Sequence, residues 1–271
     1  NTMQEIKWGL IGCGDIARKR VIPALQNAPG SKLVAVARKN AAKVEECAKE
    51  FGVEKWYENP DDLIQDPDID AVYLATPVFR HMPDILAAAA AGKHVLCEKP
   101  LALNPDDCQT IIDVTRKAGI TFGVAYYRRF YPSVLAVRNY LTKGSLGHIV
   151  NIEFRVNDLH DPTGNWAGRE WFFNKAQAGG GCLMDFGCHR LDLCEFLLGM
   201  PDSLWGSIDA VRFDTEVEDR ATVLLYYENG IQVSLHLCGA VDMMTDTFDI
   251  YGTEGTIQIP NLNEGRVDVT I

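Results

Sequence analysis

Short apolar runs alternate with amphipathic stretches along the first part of the chain. The runs predict buried strands at residues 8–11, 32–37, 71–74, 94–97 and 122–125, and the stretches between them carry apolar residues at helical spacing. Strands that alternate with helices in this way form a parallel sheet with helices on both faces. Residues 1–125 are therefore predicted to be a doubly wound α/β domain.

The pattern changes after residue 125. Residues 149–157 alternate apolar and polar side chains, which predicts a strand with one face toward solvent. Asn229-Gly230 lies between two strand-like segments and predicts a hairpin turn. Residues 126–271 are therefore predicted to be a separate α+β domain with a mainly antiparallel open sheet.

A glycine-rich turn follows the first predicted strand. Residues 12–17 read Gly-Cys-Gly-Asp-Ile-Ala and open a helix-like stretch, which is the context of a dinucleotide-binding fingerprint. The first glycine permits the tight turn, the second lets backbone approach a pyrophosphate, and the helix N-terminus supplies free N–H groups. The predicted cofactor-binding residues are Gly12, Gly14, Asp15, Ile16 and Ala17. The structural alternative is a strand-to-helix turn in which the glycines are needed only for steric reasons and bind no cofactor.

Arg38 and Lys39 stand where the second predicted strand ends. In NAD-binding domains of this kind, an acidic residue about 20 residues past the glycines binds the ribose 2′-hydroxyl. Here the acid is absent and two cations stand in its place, and an arginine fork matches the 2′-phosphate of NADP. The sequence therefore favours NADP over NAD, with a solvated loop as the alternative interpretation of both cations.

Four stretches carry a resemblance to a known family. They are residues 11–17, Ala75-Thr76-Pro77 with His81, residues 92–102 (GKHVLCEKPLA) and residues 179–192 (GGGCLMDFGCHRLD). Their order and spacing resemble the glucose–fructose oxidoreductase and inositol dehydrogenase family of nicotinamide-dependent sugar and cyclitol dehydrogenases. The resemblance implies a Rossmann domain followed by a substrate and oligomerisation domain. Family members run longer, so a final strand and returning helix are expected to be missing after residue 271.

Lys99 follows a predicted parallel strand, at the sheet edge where open α/β folds bind ligands. Glu98 and a proline flank the lysine and restrict it, whereas most lysines are solvated surface charges. The resemblance implies that Lys99 hydrogen-bonds the reacting oxygen of the substrate near the nicotinamide, with Glu98 steadying its charge. It also implies that Thr76, Pro77 and His81 line the cofactor, and Glu98 is predicted to belong to the same cofactor-binding set.

Asp185 and His189 are four residues apart, so a helix places both on one face. The structural alternative is that Asp185 only favours a helix N-terminus and that His189 is a core histidine whose hydrogen bonds are satisfied. An imidazole titrates near neutral pH and suits removal of a hydroxyl proton, and a neighbouring carboxylate can orient it. With the resemblance, Lys99, Asp185 and His189 are predicted to be catalytic. No metal site is predicted, because further ligands do not cluster near them in the sequence.

Three aromatic residues are candidates that fit a core position equally well. Tyr127 and Trp166 are predicted to line the substrate site together with Lys99 and His189, because aromatic faces cover the apolar face of a sugar ring. Trp171 is predicted to pack near the nicotinamide and so belongs to the cofactor-binding set.

Composition narrows the choice of partners and compartment. A net charge of −11 argues against nucleic acid or an anionic membrane as partner. The cysteines form no C-x-x-C pair, which favours free thiols in a reducing compartment. With Met3 as the native start, no leader-like segment and no apolar run of membrane-spanning length are found, so a cytoplasmic enzyme is expected. Family analogy adds a homo-oligomer formed through the second-domain sheet.

These residues together predict an NADP-dependent oxidoreductase that acts on a sugar, a cyclitol or a related diol. Hydride would pass between the substrate carbon and nicotinamide C4, while His189 with Asp185 handles the hydroxyl proton and Lys99 polarises the oxygen. One alternative is a nicotinamide-dependent glycoside hydrolase, which would retain its cofactor and cleave glycosides without net reduction. Another is a cofactor-sensing protein without turnover, which would not need all three catalytic side chains.

Overall fold

The computed structural model describes residues 5–271, so the expected native start at Met3 lies outside the described residues. The chain divides into two compact units, the first ending at Ala125 and the second beginning at Tyr126.

The first unit contains a six-stranded sheet in which every neighbouring pair of strands is parallel. Its strands are β1 (Ile6–Ile11), β2 (Ser31–Ala37), β3 (Lys55–Tyr57), β4 (Ala71–Leu74), β5 (His94–Cys97) and β6 (Phe122–Val124). Its helices are α1 (Ile22–Asn27), α2 (Ala41–Phe51), α3 (Pro60–Gln65), α4 (His81–Ala90) and α5 (Pro105–Ala118). The strand order is β3-β2-β1-β4-β5-β6, so the order reverses between β1 and β4, the crevice where doubly wound folds bind dinucleotides.

Local sequence explains where the longer helices of the first unit begin and end. The Asn40 side chain accepts a hydrogen bond from the Lys43 N–H at the start of α2, and Asn104 caps α5 in the same way. Gly52 and Gly119 end these helices in the left-handed conformation, which glycine adopts without steric cost. The asparagine N-cap at each helix start thus satisfies one backbone donor.

The second unit contains a seven-stranded sheet. Its strands are β7 (Ile149–Leu159), β8 (Ser203–Asp209), β9 (Arg220–Tyr226), β10 (Gln232–Cys238), β11 (Ala240–Gly252), β12 (Thr256–Ile259) and β13 (Asp268–Thr270). Its helices are α6 (Pro132–Lys143), α7 (Lys175–Ala178) and α8 (Cys188–Leu198). The order is β13-β12-β11-β7-β10-β9-β8, and only the β7–β10 pair is parallel. The predicted fold class, a Rossmann domain followed by a mainly antiparallel α+β domain, is confirmed.

One face of the second sheet builds the core of this unit and the other is open. Phe154 of β7 stacks on Phe248 of β11 with 4.3 Å between ring centroids, and Val134 of α6 and Leu193 of α8 join the same core cluster. Side chains of the opposite parity form the open face. One row across it runs Trp205, Leu224, Ser234, Glu153 and Asp249 from β8 to β11.

The observed elements differ from the predicted ones in four places. The strands β3 and β8 were not predicted, because β3 has three residues and every residue of β8 is exposed, which removes the alternation that marks a strand. Two stretches predicted as plain α-helix begin with π-helical turns, Ala17–Val21 and Leu183–Gly187. The second of these turns contains Asp185.

Candidate active site

The glycine turn after β1 has the backbone that its sequence predicts. Gly12 has a φ of +101°, and a Cβ at this position would overlap the carbonyl of Ala75 at the end of β4. A Cβ at Gly14 would have no atom within 4 Å, so space is open beside this backbone. Ala17 is fully buried against the sheet. The turn therefore leaves room beside Gly14 and backbone N–H groups for a phosphate.

Arg38 lies against the same turn. Its Nη1 donates a hydrogen bond of 2.8 Å to the carbonyl of Cys13, while Lys39 beside it is exposed. The guanidinium is half-buried, so its charge is fixed at the edge of the glycine turn. This is the position from which a side chain can reach a group on the adenosine ribose.

His81 ties together two loops that follow strands of the first sheet. Its Nε2 lies 2.9 Å from the Thr76 carbonyl, and its Nδ1 lies 3.0 Å from the Pro100 carbonyl. The ring is 1% exposed, and this burial lowers the pKa of His81, with the nearby Lys99 charge acting in the same direction. His81 therefore joins the loops after β4 and β5 through its two ring nitrogens.

The loops after β4 and β5 also offer groups suited to a dinucleotide. The Thr76 Oγ1 is buried and has no hydrogen-bond partner among the described residues. A buried hydroxyl without a partner costs free energy, which a polar group of a ligand would recover. Together with the open space at Gly14, this hydroxyl fits a bound nicotinamide dinucleotide.

Lys99 follows β5 directly, as the sequence predicts. Its neighbour Glu98 is 8% exposed, accepts a 2.8 Å hydrogen bond from the Tyr73 hydroxyl and accepts a longer one, 3.3 Å, from the Lys99 backbone N–H. The Lys99–Pro100 peptide bond is cis. The Glu98 carboxylate is thus held between the Tyr73 hydroxyl and the Lys99 backbone N–H.

Asp185 lies in the π-helical turn that precedes α8. The Glu218 carboxylate accepts hydrogen bonds from the Gly181 N–H (2.8 Å) and the Leu183 N–H (2.9 Å) at the start of this turn. A Cβ at Gly181 would overlap the Glu218 backbone, so the glycine triplet permits this close approach. Glu218 therefore satisfies backbone donors that a side-chain cap would otherwise bind.

His189 lies on the first turn of α8 and is 2% exposed. Its ring meets Tyr127 edge to face with 5.1 Å between centroids and meets Tyr126 in the same way at 5.9 Å. The structure thus brings together two residues that the sequence predicts at the substrate site, His189 and Tyr127.

A buried charge cluster holds α8 in place. Asp246 of β11 accepts hydrogen bonds from Arg190, Arg128 (3.1 Å) and the Asn263 amide, and Arg190 also donates to the Phe186 carbonyl. Burial lowers the pKa of Arg190, and the neighbouring Arg128 charge acts in the same direction. We name Arg128, Arg190, Asp246 and Asn263 the Asp246 cluster.

The two tryptophans of the predicted site lie in one aromatic group. Trp166 packs on His160 with 4.0 Å between ring centroids and on Phe172 at 4.5 Å, and Trp171 meets Phe172 edge to face at 5.8 Å. Both tryptophans are half-buried.

The predicted site residues are divided between the two units. The first unit holds the cofactor-binding candidates of the glycine turn and of the loops after β2, β4 and β5, together with Lys99. The second unit holds Asp185, His189 and the aromatic candidates. Sequence reasoning missed Glu218, Asp246 and His160, which support the site from distant positions and belong to no local motif.

Metal and membrane features were also sought. Within residues 5–271, no group of three or more His, Cys, Asp or Glu side chains is arranged to hold a metal ion. None of the helices in this range is both long and apolar enough to cross a membrane.

Comparison with known proteins finds a matching family model for each half of the chain. Residues 6–126 match a family model described as an oxidoreductase family with an NAD-binding Rossmann fold. Residues 134–258 match the GFO/IDH/MocA C-terminal domain.

Individual relatives span most of the chain. It is 31% identical to trans-1,2-dihydrobenzene-1,2-diol dehydrogenase of Bos taurus, over 94% of this chain and 74% of the relative. It is 32% identical to 1,5-anhydro-D-fructose reductase of Ensifer adhaerens, over 93% of this chain and 74% of the relative. A solved structure of levoglucosan dehydrogenase in complex with NADH and levoglucosan superposes with a TM-score of 0.90 at 28% identity, covering 99% of this chain and 76% of that one.

Proposed function

Since the chain belongs to the GFO/IDH/MocA oxidoreductase family, as its motifs predict, we propose that it transfers hydride between a nicotinamide dinucleotide and a CH–OH carbon of a sugar, a cyclitol or a related diol. The observation that carries this proposal is the retention of every chemical part in one chain. The glycine turn and Thr76 are suited to the cofactor, and Lys99 follows β5. Asp185 lies in the π-helical turn before α8, and His189 lies in the first turn of α8.

Each of these side chains has a distinct task in the proposed reaction. The bound nicotinamide supplies the hydride acceptor or donor. His189 takes the hydroxyl proton during oxidation and returns it during reduction, which an imidazole can do near neutral pH. Asp185 stabilises the imidazolium that forms, and Lys99 donates a hydrogen bond to the reacting oxygen. Lys99 lies in the first unit, and Asp185 and His189 lie in the second.

The substrate class follows from what the relatives act on. One relative is named for a cyclic trans-diol and another for an anhydro sugar, and the solved levoglucosan dehydrogenase was bound to levoglucosan. All three ligands present hydroxyl or carbonyl groups on a six-membered ring. The edge-to-face contacts of Tyr126 and Tyr127 with His189 place aromatic surface beside the proposed base, which suits such a ring.

A substrate panel tests this function directly. Levoglucosan, 1,5-anhydro-D-fructose, myo-inositol and a trans-dihydrodiol are each mixed with the protein and either nicotinamide, and the absorbance of the reduced cofactor is followed. We expect turnover with at least one ring polyol. Cleavage of a glycoside without net change in the cofactor would support the hydrolase alternative, and cofactor binding without turnover on any polyol would support the sensor alternative.

For the cofactor, we propose a preference for NADP, carried by Arg38. The Arg38 guanidinium is fixed at the glycine turn by its bond to the Cys13 carbonyl, and no acidic residue occupies the end of β2. The competing choice is NAD, because the solved levoglucosan dehydrogenase was bound to NADH. The two cofactors differ at the 2′-phosphate, which is the group that a guanidinium fork matches.

The Arg38→Ala substitution separates the two choices. Loss of the hydrogen bond between Arg38 and the Cys13 carbonyl changes the affinity for both cofactors equally. Loss of a contact with the 2′-phosphate changes the affinity for NADPH alone. We expect NADPH binding to weaken by about 1–3 kcal/mol relative to NADH, the usual worth of a hydrogen bond to a charged group. Fluorescence titration of both reduced cofactors measures this ratio, with Lys39→Ala as the neighbouring control. Equal losses for both cofactors, or tighter NADH binding by the unmodified protein, would refute the proposed preference.

We also propose that residues 1–125 form the cofactor domain and residues 126–271 the substrate domain, and that the open face of the second sheet joins copies of the chain. Trp205 is 54% exposed on this face and lies opposite Leu224 of β9, while Glu153 and Arg155 add both signs of charge. Sedimentation velocity should detect an oligomer that Trp205→Arg dissociates. A monomeric unmodified protein would reject this interface.

A further inference from the structure

Strand β8 is a free edge of the second sheet. It stands at the end of the strand order beside β9, and its register with β9 runs from Ser203 to Asp209 without a bulge. Within residues 5–271, the backbone of residues 203–208 pairs with β9 and makes no hydrogen bond to any other element. The outer side of this strand therefore presents a row of N–H and C=O groups that another strand can bind.

The edge strand also carries apolar side chains beyond the limit of the core. Leu204 lies opposite Leu225 of β9, so both point to the core side of the sheet. Ile208 lies opposite Ala221 in the same way. The two β9 side chains are 2% and 1% exposed, whereas Leu204 is 68% exposed and Ile208 is 57% exposed. The core layer thus covers β9 and leaves the apolar side chains of β8 open.

The β8 strand lacks the features by which exposed edge strands usually avoid pairing. Its sequence, SLWGSID, contains no proline, lysine or arginine. Its one charged residue, Asp209, is at the end of the strand and is balanced by the Arg220 Nη2 at 2.6 Å. The middle of the strand is uncharged, so it suits pairing with another uncharged strand.

A two-fold axis through Gly206 makes β8 complementary to itself. In an antiparallel pair of β8 strands with Gly206 opposite Gly206, Leu204 of each copy lies opposite Ile208 of the other. The two Trp205 side chains become diagonal neighbours on the open face, about 7–8 Å apart and within reach of each other. An axis at Trp205 or Ser207 separates Leu204 from Ile208. Gly206 is therefore the centre that matches both apolar positions.

We propose that β8 pairs with β8 of a second copy of the chain, antiparallel and centred on Gly206, and so joins two seven-stranded sheets edge to edge. A second copy fits because it supplies a strand of equal length whose apolar residues fall at the matching positions, and a two-fold contact makes each pairing twice. This edge contact differs from the open-face contact, because Leu204 and Ile208 point to the core side. It involves no catalytic side chain, so His189→Ala should form it equally.

Two charge variants at positions 204 and 208 test the register. Leu204→Lys with Ile208→Lys places like charges opposite each other across the edge contact, whereas Leu204→Lys with Ile208→Glu places opposite charges there. Both variants lose the same two apolar side chains, and both positions are exposed, so each single chain should fold normally. Sedimentation velocity over a concentration series measures association. We expect the dissociation constant of the edge contact to be at least about tenfold higher in the first variant than in the second.

A cysteine at the two-fold axis provides a second, geometric measurement. Directly opposite Cα atoms of antiparallel strands are about 4.5–5.5 Å apart, which a disulfide can span. A Cβ at Gly206 would meet only the Thr222 carbonyl, at 3.7 Å, so Gly206→Cys should fold. Oxidation of this variant with diamide should give a covalent dimer on a non-reducing gel.

Ser207→Cys is the matched control for the disulfide. In the proposed register its two copies are diagonal, with Cα atoms more than about 7 Å apart, which is too far for a disulfide. Unmodified protein treated in the same way reports on the natural cysteines.

Each outcome decides for or against the edge contact. Equal dissociation constants for the two charge variants, or a covalent dimer formed as readily by Ser207→Cys as by Gly206→Cys, would overturn the register centred on Gly206. Unmodified protein that remains a single chain throughout the concentration series would overturn the contact itself. An assembly that Trp205→Arg dissociates and neither charge variant weakens would belong to the open face and would also overturn it. None of these results bears on the proposed hydride transfer, which the substrate panel tests.

Discussion

Replacing His189 by alanine is expected to lower turnover by about 10²–10⁴-fold, the usual worth of general acid–base catalysis. Except for Trp171, the cofactor-binding candidates lie in the first unit and His189 lies in the second, so the affinity for the reduced cofactor should stay near normal. Steady-state assays with the best panel substrate measure turnover, and fluorescence titration measures cofactor binding. His148→Ala, which removes an exposed imidazole from the same unit, is the control.

The partner substitution at Lys99 shows whether the two side chains act as one unit. Lys99→Ala should lower turnover and weaken substrate binding, because it removes the donor to the reacting oxygen. When residues act together, removing the second costs little once the first is gone. The double variant should therefore be far less impaired than the product of the two single effects. Independent, multiplying losses would place Lys99 and His189 in separate steps, and near-normal turnover by His189→Ala would defeat the assignment.

Asp246→Ala is expected to destabilise the second unit by about 3–5 kcal/mol, the usual cost of removing one partner from a buried ion pair. Asp246 is the carboxylate between Arg128 and Arg190, and Arg190 is 1% exposed. Without it, two buried guanidinium groups face each other with no acid to balance them. The free energy of unfolding, measured by urea denaturation, should fall accordingly.

Asp242→Ala provides the comparison for this prediction, since it removes an exposed carboxylate from the same strand. It should change the free energy of unfolding by no more than about 0.5 kcal/mol, as surface substitutions usually do. A loss below about 1 kcal/mol in Asp246→Ala would mean that the two arginines do not depend on Asp246 for their charge balance. The Asp246 cluster would then not be the feature that holds α8 in place.

The parts of the site encoded by consecutive residues could be predicted from the sequence. The glycine turn could be predicted because only glycine tolerates both the positive φ of Gly12 and the close approach of the Ala75 carbonyl. Lys99 is similarly placed by the strand that precedes it. The four-residue spacing of Asp185 and His189 predicts that both lie on one helix face. In the structure Asp185 lies in the π-helical turn Leu183–Gly187 and His189 in α8, and that turn is not visible in the spacing.

The supporting residues could not be predicted, because their partners are far away along the chain. Glu218 caps a turn that begins at Gly181, and Asp246 pairs with Arg128 and Arg190. No local pattern distinguishes these carboxylates from solvated ones. Asp158 and His160 lie beyond the strand predicted over residues 149–157, whereas β7 continues to Leu159. Long-range pairing, which decides where this strand ends, leaves no periodic signal.

The position of β7 in its sheet has a consequence for how the chain is made. Its neighbours are β10 and β11, which begin at Gln232 and Ala240, whereas the innermost pair of the first unit, β1 and β4, is complete at Leu74. Domains fold during synthesis as their strands become available, and pairings distant in sequence form last. A nascent chain that has reached Leu198 can hold a finished first unit while the apolar face of β7, with Ile152, Phe154 and Val156, has no strand beside it. The partly synthesised, ribosome-bound chain is therefore the form of this protein that most needs a chaperone.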